Sequence, residues 1–256
     1  FQVAPPPVTG LLIGAEPDHM VEITAPQPDQ PVKKISGTPG MPLESRPISK
    51  KIIRQENERL ILEAAEKVFA EAGYGGATMQ LIADVAGLPK ANLHYYFPTK
   101  EALYRQVVEA IFYDWLEAAD FFDDADGPID GLGAYIDAKM EISRRHPAGS
   151  KVWASEVMHR APVIQETLET TLREWTAGRV EVIQRWIDAG LMDPIEPNYL
   201  LYMVWATTQH YADFGHQIET LNKGDPLSDA QWETAKATVK RIILSGINAR
   251  PKASAK

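Results

Sequence analysis

The fold of this chain is decided by residues 78–104, which read TMQLIADVAGLPKANLHYYFPTKEALY. Thr78 can cap a short helix over residues 78–86, because its oxygen can accept from the first free backbone N–H groups. Gly87 supplies a turn, and a third helix follows over residues 89–97, starting on a proline where the missing N–H costs least. Two short helices joined by a glycine turn predict a helix-turn-helix.

Helical patterns continue on both sides of this stretch. Upstream, apolar residues recur with helical spacing from about residue 53 until Gly73. Downstream, Pro98 ends the third helix, and Thr99 can cap a long fourth helix that ends near Phe122. Further helices are expected over residues 129–146, 150–159, 163–189, 197–222 and 228–247. No stretch alternates apolar and polar residues as a half-buried strand does, so the predicted fold class is all-α.

The composition allows a folded core and excludes thiol chemistry. Hydrophobic residues make up 45% of the 256 residues, and cysteine is absent. A bilayer-spanning helix needs about 20 consecutive apolar residues, and every apolar run in this sequence is much shorter. We therefore expect a cytoplasmic protein with no membrane partner.

Charge is distributed unevenly along the chain. The net charge of −9 argues at first against a nucleic-acid partner. Residues 46–105, however, hold nine basic and seven acidic residues, so the acidic excess lies entirely in the rest of the chain. A mildly basic head on an acidic body suits a protein that touches DNA at one end.

The chain divides into four predicted segments. Residues 1–49 hold ten of the 19 prolines and no helical period, which predicts a disordered Pro-rich arm. Residues 50–105 are predicted to form the helix-turn-helix DNA-binding domain. Residues 106–248 form a second helical domain, and residues 249–256 a flexible tail.

Specific tracts in the helical region resemble a known family. Residues 93–103, LHYYFPTKEAL, resemble a tract of the DNA-binding domain of the TetR family, and the resemblance covers about residues 50–248. The segments EISR at 141–144 and WATTQHYADF at 205–214 are similar to the RutR branch, whose members regulate pyrimidine utilisation. That branch usually has serine where this chain has Pro89, and proline cannot supply a capping oxygen.

The resemblance implies a fold and a function. It implies an N-terminal three-helix DNA-binding domain and a C-terminal helical domain for ligand binding and dimerisation. It further implies a homodimeric repressor that holds double-stranded operator DNA and is released by a small molecule, in this branch a pyrimidine such as uracil or thymine. The alternatives are a regulator of an unrelated pathway with a different ligand, or a helical enzyme. No nucleophile elbow, P-loop or HExxH supports an enzyme, and no cofactor is expected.

The third helix concentrates groups that can hydrogen-bond to phosphates and base edges. Asn92 could read adenine and Lys90 could take guanine or phosphate, while Thr78 and Lys100 lie at helix N-termini that favour phosphate. The predicted DNA-contacting residues are Lys90, Ala91, Asn92, His94, Tyr95, Tyr96, Thr78 and Lys100. Arg46, Lys50, Lys51 and Arg54 could contact phosphate or the minor groove.

Each of these residues also has a purely structural interpretation. Leu93 and Phe97 lie four residues apart on the inner helix face and are expected in the core. One of Tyr95 and Tyr96 is expected to pack against neighbouring helices, and the two lysines could simply be solvated. A helical interaction module without DNA contact would need a buried third helix, which its polar groups argue against.

Two tryptophans and an amide are predicted to bind the ligand. Trp115 and Trp205 lie on long apolar helices, and Gln209 follows Trp205 by one turn. An aromatic wall beside an amide suits a flat heterocycle, although both tryptophans could also merely fill the core. His210, Asp213 and His216 share helical spacing, but this spacing is no specific metal signature, so we predict no metal site.

The last long helices carry apolar stripes. In the TetR family such helices pair with a two-fold mate as a four-helix bundle, so the stripes are predicted to form the dimer interface. The residues are Leu200, Leu201, Met203, Val204, Val239, Ile242 and Ile243.

Overall fold

The computed structural model describes residues 50–119, 122 and 124–252, which form helices and no strands. The helices are α1 (Lys50–Gly76), α2 (Met79–Ala86), α3 (Lys90–Tyr96), α4 (Lys100–Glu117), α5 (Pro128–Arg145), α6 (Pro147–Met158), α7 (Gln165–Thr167), α8 (Arg173–Asp188), α9 (Pro197–Asp213), α10 (Gly215–Leu221) and α11 (Asp229–Gly246). A π-helical turn, Leu168–Leu172, joins α7 to α8. The all-α prediction is confirmed. Among these helices, none combines the length and apolar character needed to cross a membrane.

Several helix ends differ from the sequence prediction. α4 ends at Glu117, earlier than expected. α6 begins earlier than expected, at Pro147, because proline is tolerated in the first turn of a helix. The helix predicted over residues 163–189 is interrupted by the π-helical turn. The helix predicted over residues 197–222 breaks at Phe214 into α9 and α10, because Gly215 weakens the helix there.

The junction between α2 and α3 follows its sequence signals. The Thr78 hydroxyl accepts a hydrogen bond from the Leu81 amide at 3.1 Å. Gly87 has a φ of 66°, a left-handed conformation that glycine adopts without strain. α3 starts at Lys90, one residue later than predicted. Pro89 precedes it without a side-chain cap, as expected from the absence of serine there.

Buried apolar side chains form two clusters. The first joins α1–α4 to α6 and contains Leu93 and Phe97, as expected. The second joins α5, α8, α9 and α11 and includes Tyr135 and Trp186. The predicted domain boundary after residue 105 falls inside α4, which supplies the first cluster and leads directly into the second. The division into two domains therefore stays a prediction.

The two ends of the chain are only partly described. The predicted arm, residues 1–49, and residues 253–256 of the predicted tail lie outside the described residues. The start of that tail is nevertheless held in place. Arg250 pairs with Asp193, and Lys252 Nζ lies 2.8 Å from Asp126 Oδ1.

Candidate functional site

α3 presents its polar side chains on the protein surface. Leu93 and Phe97 anchor its inner face in the core. Lys90 and Ala91 are exposed on the opposite side, and 72% of Tyr95 is accessible to solvent. The exposure of α3 contradicts the alternative in which this helix is buried as part of an interaction module.

The remaining residues predicted to contact DNA from α3 differ in accessibility. His94 is exposed, and its Nδ1 lies 3.4 Å from the Pro98 carbonyl oxygen. Asn92 and Tyr96 are half-buried, and the Tyr96 ring packs against the first cluster. Its hydroxyl accepts a hydrogen bond from Asn57 Nδ2 at 3.5 Å. Tyr96 is thus the packed member of the tyrosine pair, and Tyr95 is the accessible one.

Thr78 and Lys100 have structural partners at the helix ends where they were predicted to bind phosphate. The exposed Thr78 hydroxyl caps α2. Lys100 Nζ donates to the carbonyl oxygens of Tyr74 at 2.7 Å and Ala77 at 3.0 Å, and it lies 4.3 Å from the Tyr74 ring centre. An ammonium group has three donors, so one remains for a phosphate oxygen.

The basic residues before the core of α1 are only partly placed. Lys51 and Arg54 are exposed on the first turns of α1. Arg46 lies outside the described residues, and so does the side chain of Lys50.

A cavity of about 170 Å³ in the body of the protein brings together the three predicted ligand residues. Trp115 enters it from α4, and Trp205 and Gln209 enter it from α9. Four more aromatic rings line the cavity, beside four aliphatic side chains and one lysine. Trp153 stacks on Phe112 with ring centres 5.2 Å apart and meets the edge of Trp115 at 5.3 Å.

Two indole N–H groups of the cavity wall are unused hydrogen-bond donors. Trp205 Nε1 donates to the Tyr135 hydroxyl at 2.8 Å, and burial raises the pKa of Tyr135, so this phenol stays neutral. Trp115 Nε1 and Trp175 Nε1 are buried, and the part of the chain that the structure describes offers them no acceptor. A buried donor left unpaired costs about 1–3 kcal/mol.

Lys139 also lines the cavity, and sequence reasoning missed it. This side chain is 1% exposed, and its Nζ lies 4.0 Å from the centre of the Trp115 ring. Burial lowers the pKa of Lys139 to about 7, against the opposing attraction of the Asp213 carboxylate. The available signal was a lysine in the apolar stripe of α5, one turn after Tyr135. Tyr135, Trp153 and Trp175 were also missed as wall residues.

The predicted dimer stripes on α9 and α11 are only partly exposed. Leu200, Leu201, Val204, Val239 and Ile243 are buried in the second cluster of the same chain, because they face the neighbouring helices. The assignment of Leu201 and Val204 to the dimer interface is therefore corrected, whereas Leu200, Val239 and Ile243 also line an apolar groove between α9 and α11. Met203 and Ile242 are 56% and 60% exposed, and with Tyr199 they line the same groove.

The residues weighed as a metal site have other contacts. Ser150 Oγ donates to Asp213 Oδ1 at 2.6 Å, and His210 stacks on Phe214 with ring centres 4.8 Å apart. Across the described residues, no group of histidine and carboxylate side chains could hold a metal ion.

Comparison with known proteins relates both halves to one family. Residues 61–107 match the bacterial regulatory proteins of the tetR family, and residues 108–250 match the C-terminal region of YcdC-like protein. HTH-type transcriptional regulator RutR of Escherichia coli K12 is 35% identical over 193 residues, which cover 75% of this chain and 91% of RutR. The HTH-type transcriptional repressor KstR2 of Mycobacterium tuberculosis is 26% identical over 167 residues, 60% of this chain and 81% of KstR2.

Solved structures support the same fold. The structure of KstR2 matches with a TM-score of 0.58 at 23% identity, covering 77% of this chain and 95% of KstR2. A TetR family regulator from Marinobacter aquaeolei matches with a TM-score of 0.56 at 20% identity, covering 74% and 96%. The predicted likeness to TetR proteins and to RutR is confirmed: this chain belongs to the TetR family and is a DNA-binding transcriptional regulator of the helix-turn-helix type.

Proposed function

We propose that this chain is a homodimeric, cytoplasmic repressor whose grip on operator DNA is released by a flat heterocycle, a pyrimidine such as uracil or thymine. In this proposal residues 50–105 form the DNA-binding domain, and residues 106–248 form the ligand-binding and dimerisation domain. The observation that carries the proposal is the aromatic cavity with its unpaired donors. The 35% identity to RutR supports the choice of pyrimidine.

The size and walls of the cavity favour a single planar ring. An engineered cavity of about 150 Å³ in another protein holds benzene, and this cavity is about 170 Å³. Stacked and edge-on indole rings offer flat apolar surfaces to such a ring. The cavity is therefore sized for a one-ring heterocycle rather than for a long acyl chain.

The polar groups of the cavity favour a ligand rich in acceptors. Trp115 Nε1, Trp175 Nε1 and the Lys139 ammonium can only donate, whereas the Gln209 amide can both donate and accept. A pyrimidine dione has two carbonyl oxygens and ring N–H groups, so it can accept from the Lys139 ammonium and donate to the amide oxygen of Gln209. An acceptor-poor ring would leave the donors unpaired.

The effect of ligand binding can be transmitted through α4 to residues 50–105, the DNA-binding head. Lys100 at the start of α4 is hydrogen-bonded to carbonyl oxygens at the end of α1, and the same helix carries Trp115 into the cavity. A ligand that prefers one position of α4 shifts the population toward it. Two heads that no longer match half-sites one helical turn apart release the operator.

Thermal melting with candidate ligands tests this proposal. A ligand present at about 100 times its dissociation constant stabilises the fold by about 2.7 kcal/mol. Uracil and thymine are expected to raise the Tm, whereas purines and acceptor-poor rings leave it unchanged. A shift with another heterocycle but not with pyrimidines would replace the proposed effector, and turnover of that compound would favour the enzyme alternative.

Effector affinity is expected to depend on pH through Lys139. The ammonium form donates to a ligand carbonyl, and the pKa of this group in the free protein is about 7. Because Lys139 already carries its proton below pH 7, we expect uracil affinity not to change with pH in that range. It declines as the pH rises above 7, by up to about tenfold per unit. Calorimetric titration between pH 6 and pH 8.5 measures this profile.

The variant Lys139→Met tests whether the pH dependence arises from Lys139 and not from nearby charged residues. Asp213, His210 and Lys151 also act on this region electrostatically. Lys139→Met is expected to give weak binding with a flat profile. A decline with pH that persists in this variant would assign the titration to one of the other groups.

The apolar groove between α9 and α11 is expected to hold the second subunit. Ile242→Glu puts a charge on a side chain that is 60% exposed in one chain and buried in the proposed dimer. We expect a folded monomer by light scattering and a large loss of operator affinity. Leu221→Glu, at an 80% exposed position on α10, should stay dimeric. A dimeric Ile242→Glu protein would place the interface elsewhere.

A further inference from the structure

The first turn of α6 is capped by a carboxylate from the DNA-binding head. Glu66 on α1 accepts a hydrogen bond from the Gly149 amide at 2.8 Å, across 83 positions of the chain. The residue before α6, His146, makes no capping side-chain bond of its own within the described residues. A carboxylate at a helix N-terminus satisfies a free N–H and faces the positive end of the helix dipole.

This contact leaves little room for a side chain at position 149. A Cβ at position 149 would lie 3.3 Å from Glu66 Oε1 and 3.4 Å from Ile111 Cβ. A methyl group at this position would require the Glu66 carboxylate to give way by a few tenths of an ångström. The hydrogen bond between Glu66 and Gly149 therefore links α1 to the first turn of α6 at close range.

The next residue of the same turn bonds a carboxylate that acts on the cavity wall. Ser150 Oγ donates to Asp213 Oδ1 at 2.6 Å, and the Asp213 carboxylate acts electrostatically on Lys139 in the cavity wall. α6 itself carries Trp153 into that wall. Adjacent residues, Gly149 and Ser150, thus contact Glu66 of the head on one side and Asp213, the carboxylate that acts on Lys139, on the other.

We propose that Glu66 is a positioning residue through which occupation of the cavity changes the orientation of the DNA-binding head. The inference rests on the proposed function, because it concerns the response to the effector. α1 carries Ile61, Ala65 and Phe69 of the first cluster, so a displacement of α1 moves the head as a unit. Coupling of this kind is reciprocal: operator binding must also alter the first turn of α6.

The experiment measures the effect of uracil on duplex affinity separately from the affinity for uracil itself. A DNA duplex is selected from a random pool with the wild-type protein, and its affinity is measured with and without saturating uracil. For wild type we expect at least a tenfold loss of duplex affinity with uracil. For Glu66→Ala we expect uracil affinity within twofold of wild type but a loss of duplex affinity below threefold. Glu66→Gln, which keeps an acceptor oxygen, should restore part of the response.

Two further variants control for damage to the fold. Gly149→Ala disturbs the same contact from α6 and should reduce the response as Glu66→Ala does. Glu71→Ala removes an exposed carboxylate from α1 and should respond like wild type. Equal release by uracil in wild type and Glu66→Ala would overturn the inference and leave the proposed function intact.

A second readout decides the inference if uracil does not bind. Hydrogen exchange of the peptide covering α6 is followed with and without the selected duplex. By reciprocity, the duplex should change this exchange in wild type but not in Glu66→Ala. The same change in both proteins would overturn the inference, whereas lack of a response to uracil in wild type overturns the proposed effector.

Discussion

Lys90→Ala combined with Tyr95→Ala is expected to weaken binding to a selected operator duplex by at least about 30-fold, because each side chain that reaches a base edge contributes about 1–3 kcal/mol. Both side chains are exposed on α3, and neither fills the core. The Tm should therefore change little. Fluorescence anisotropy with a labelled duplex measures the affinity, and the loss of Lys90 should also lower the salt dependence of binding.

A matched double variant controls for lost charge and lost aromatic surface. Lys67 on α1 and Tyr113 on α4 are also exposed, and Tyr113 is 50% accessible. Lys67→Ala with Tyr113→Ala should bind the duplex within about threefold of wild type, since isolated surface contacts are worth less than about 1 kcal/mol. If the α3 variant retained full affinity, α3 would not be the recognition helix.

Lys139→Met is expected to reduce uracil affinity by about 10- to 150-fold, because a hydrogen bond from a charged donor contributes about 1.5–3 kcal/mol. Methionine has a similar length and occupies the volume of the lysine side chain, so the variant should stay folded. Isothermal titration gives the affinity, and near-UV circular dichroism of the tryptophans checks the packing. The operator affinity of the ligand-free variant should match that of wild type.

Lys151→Met distinguishes a cavity role from a general electrostatic one. Lys151 also acts on the Asp213 carboxylate, but it does not line the cavity. It should bind uracil within about twofold of wild type. Similar losses in both variants would mean that Lys139 acts through the charge of Asp213 and not through contact with the effector.

The helix-turn-helix could be predicted from sequence because its signals are local. Thr78 as a cap, Gly87 as a turn and the four-residue spacing of Leu93 and Phe97 each act within one helical turn, and the structure contains all of them. The prediction of Trp115, Trp205 and Gln209 as ligand residues depends on a family resemblance as well as on the sequence pattern. Their meeting in one cavity depends on how α4 packs near α9.

The missed features depend on long-range packing. Lys139 occupies an apolar stripe, and only the positions of Trp115 and Asp213 show why a buried ammonium is tolerated there. The apolar stripes of α9 and α11 could not indicate which residues face the same chain. Periodicity places a residue on a helix face, but it does not say which neighbour covers that face.

The unpaired indole donors of Trp115 and Trp175 have a consequence for the lifetime of the protein. Each unpaired donor costs about 1–3 kcal/mol of folding stability, and such amounts change the unfolded fraction that proteases degrade. Under the proposed function, a bound effector stabilises the fold by mass action and should therefore slow degradation of the protein. We expect the cellular abundance of the regulator to rise when the proposed effector accumulates.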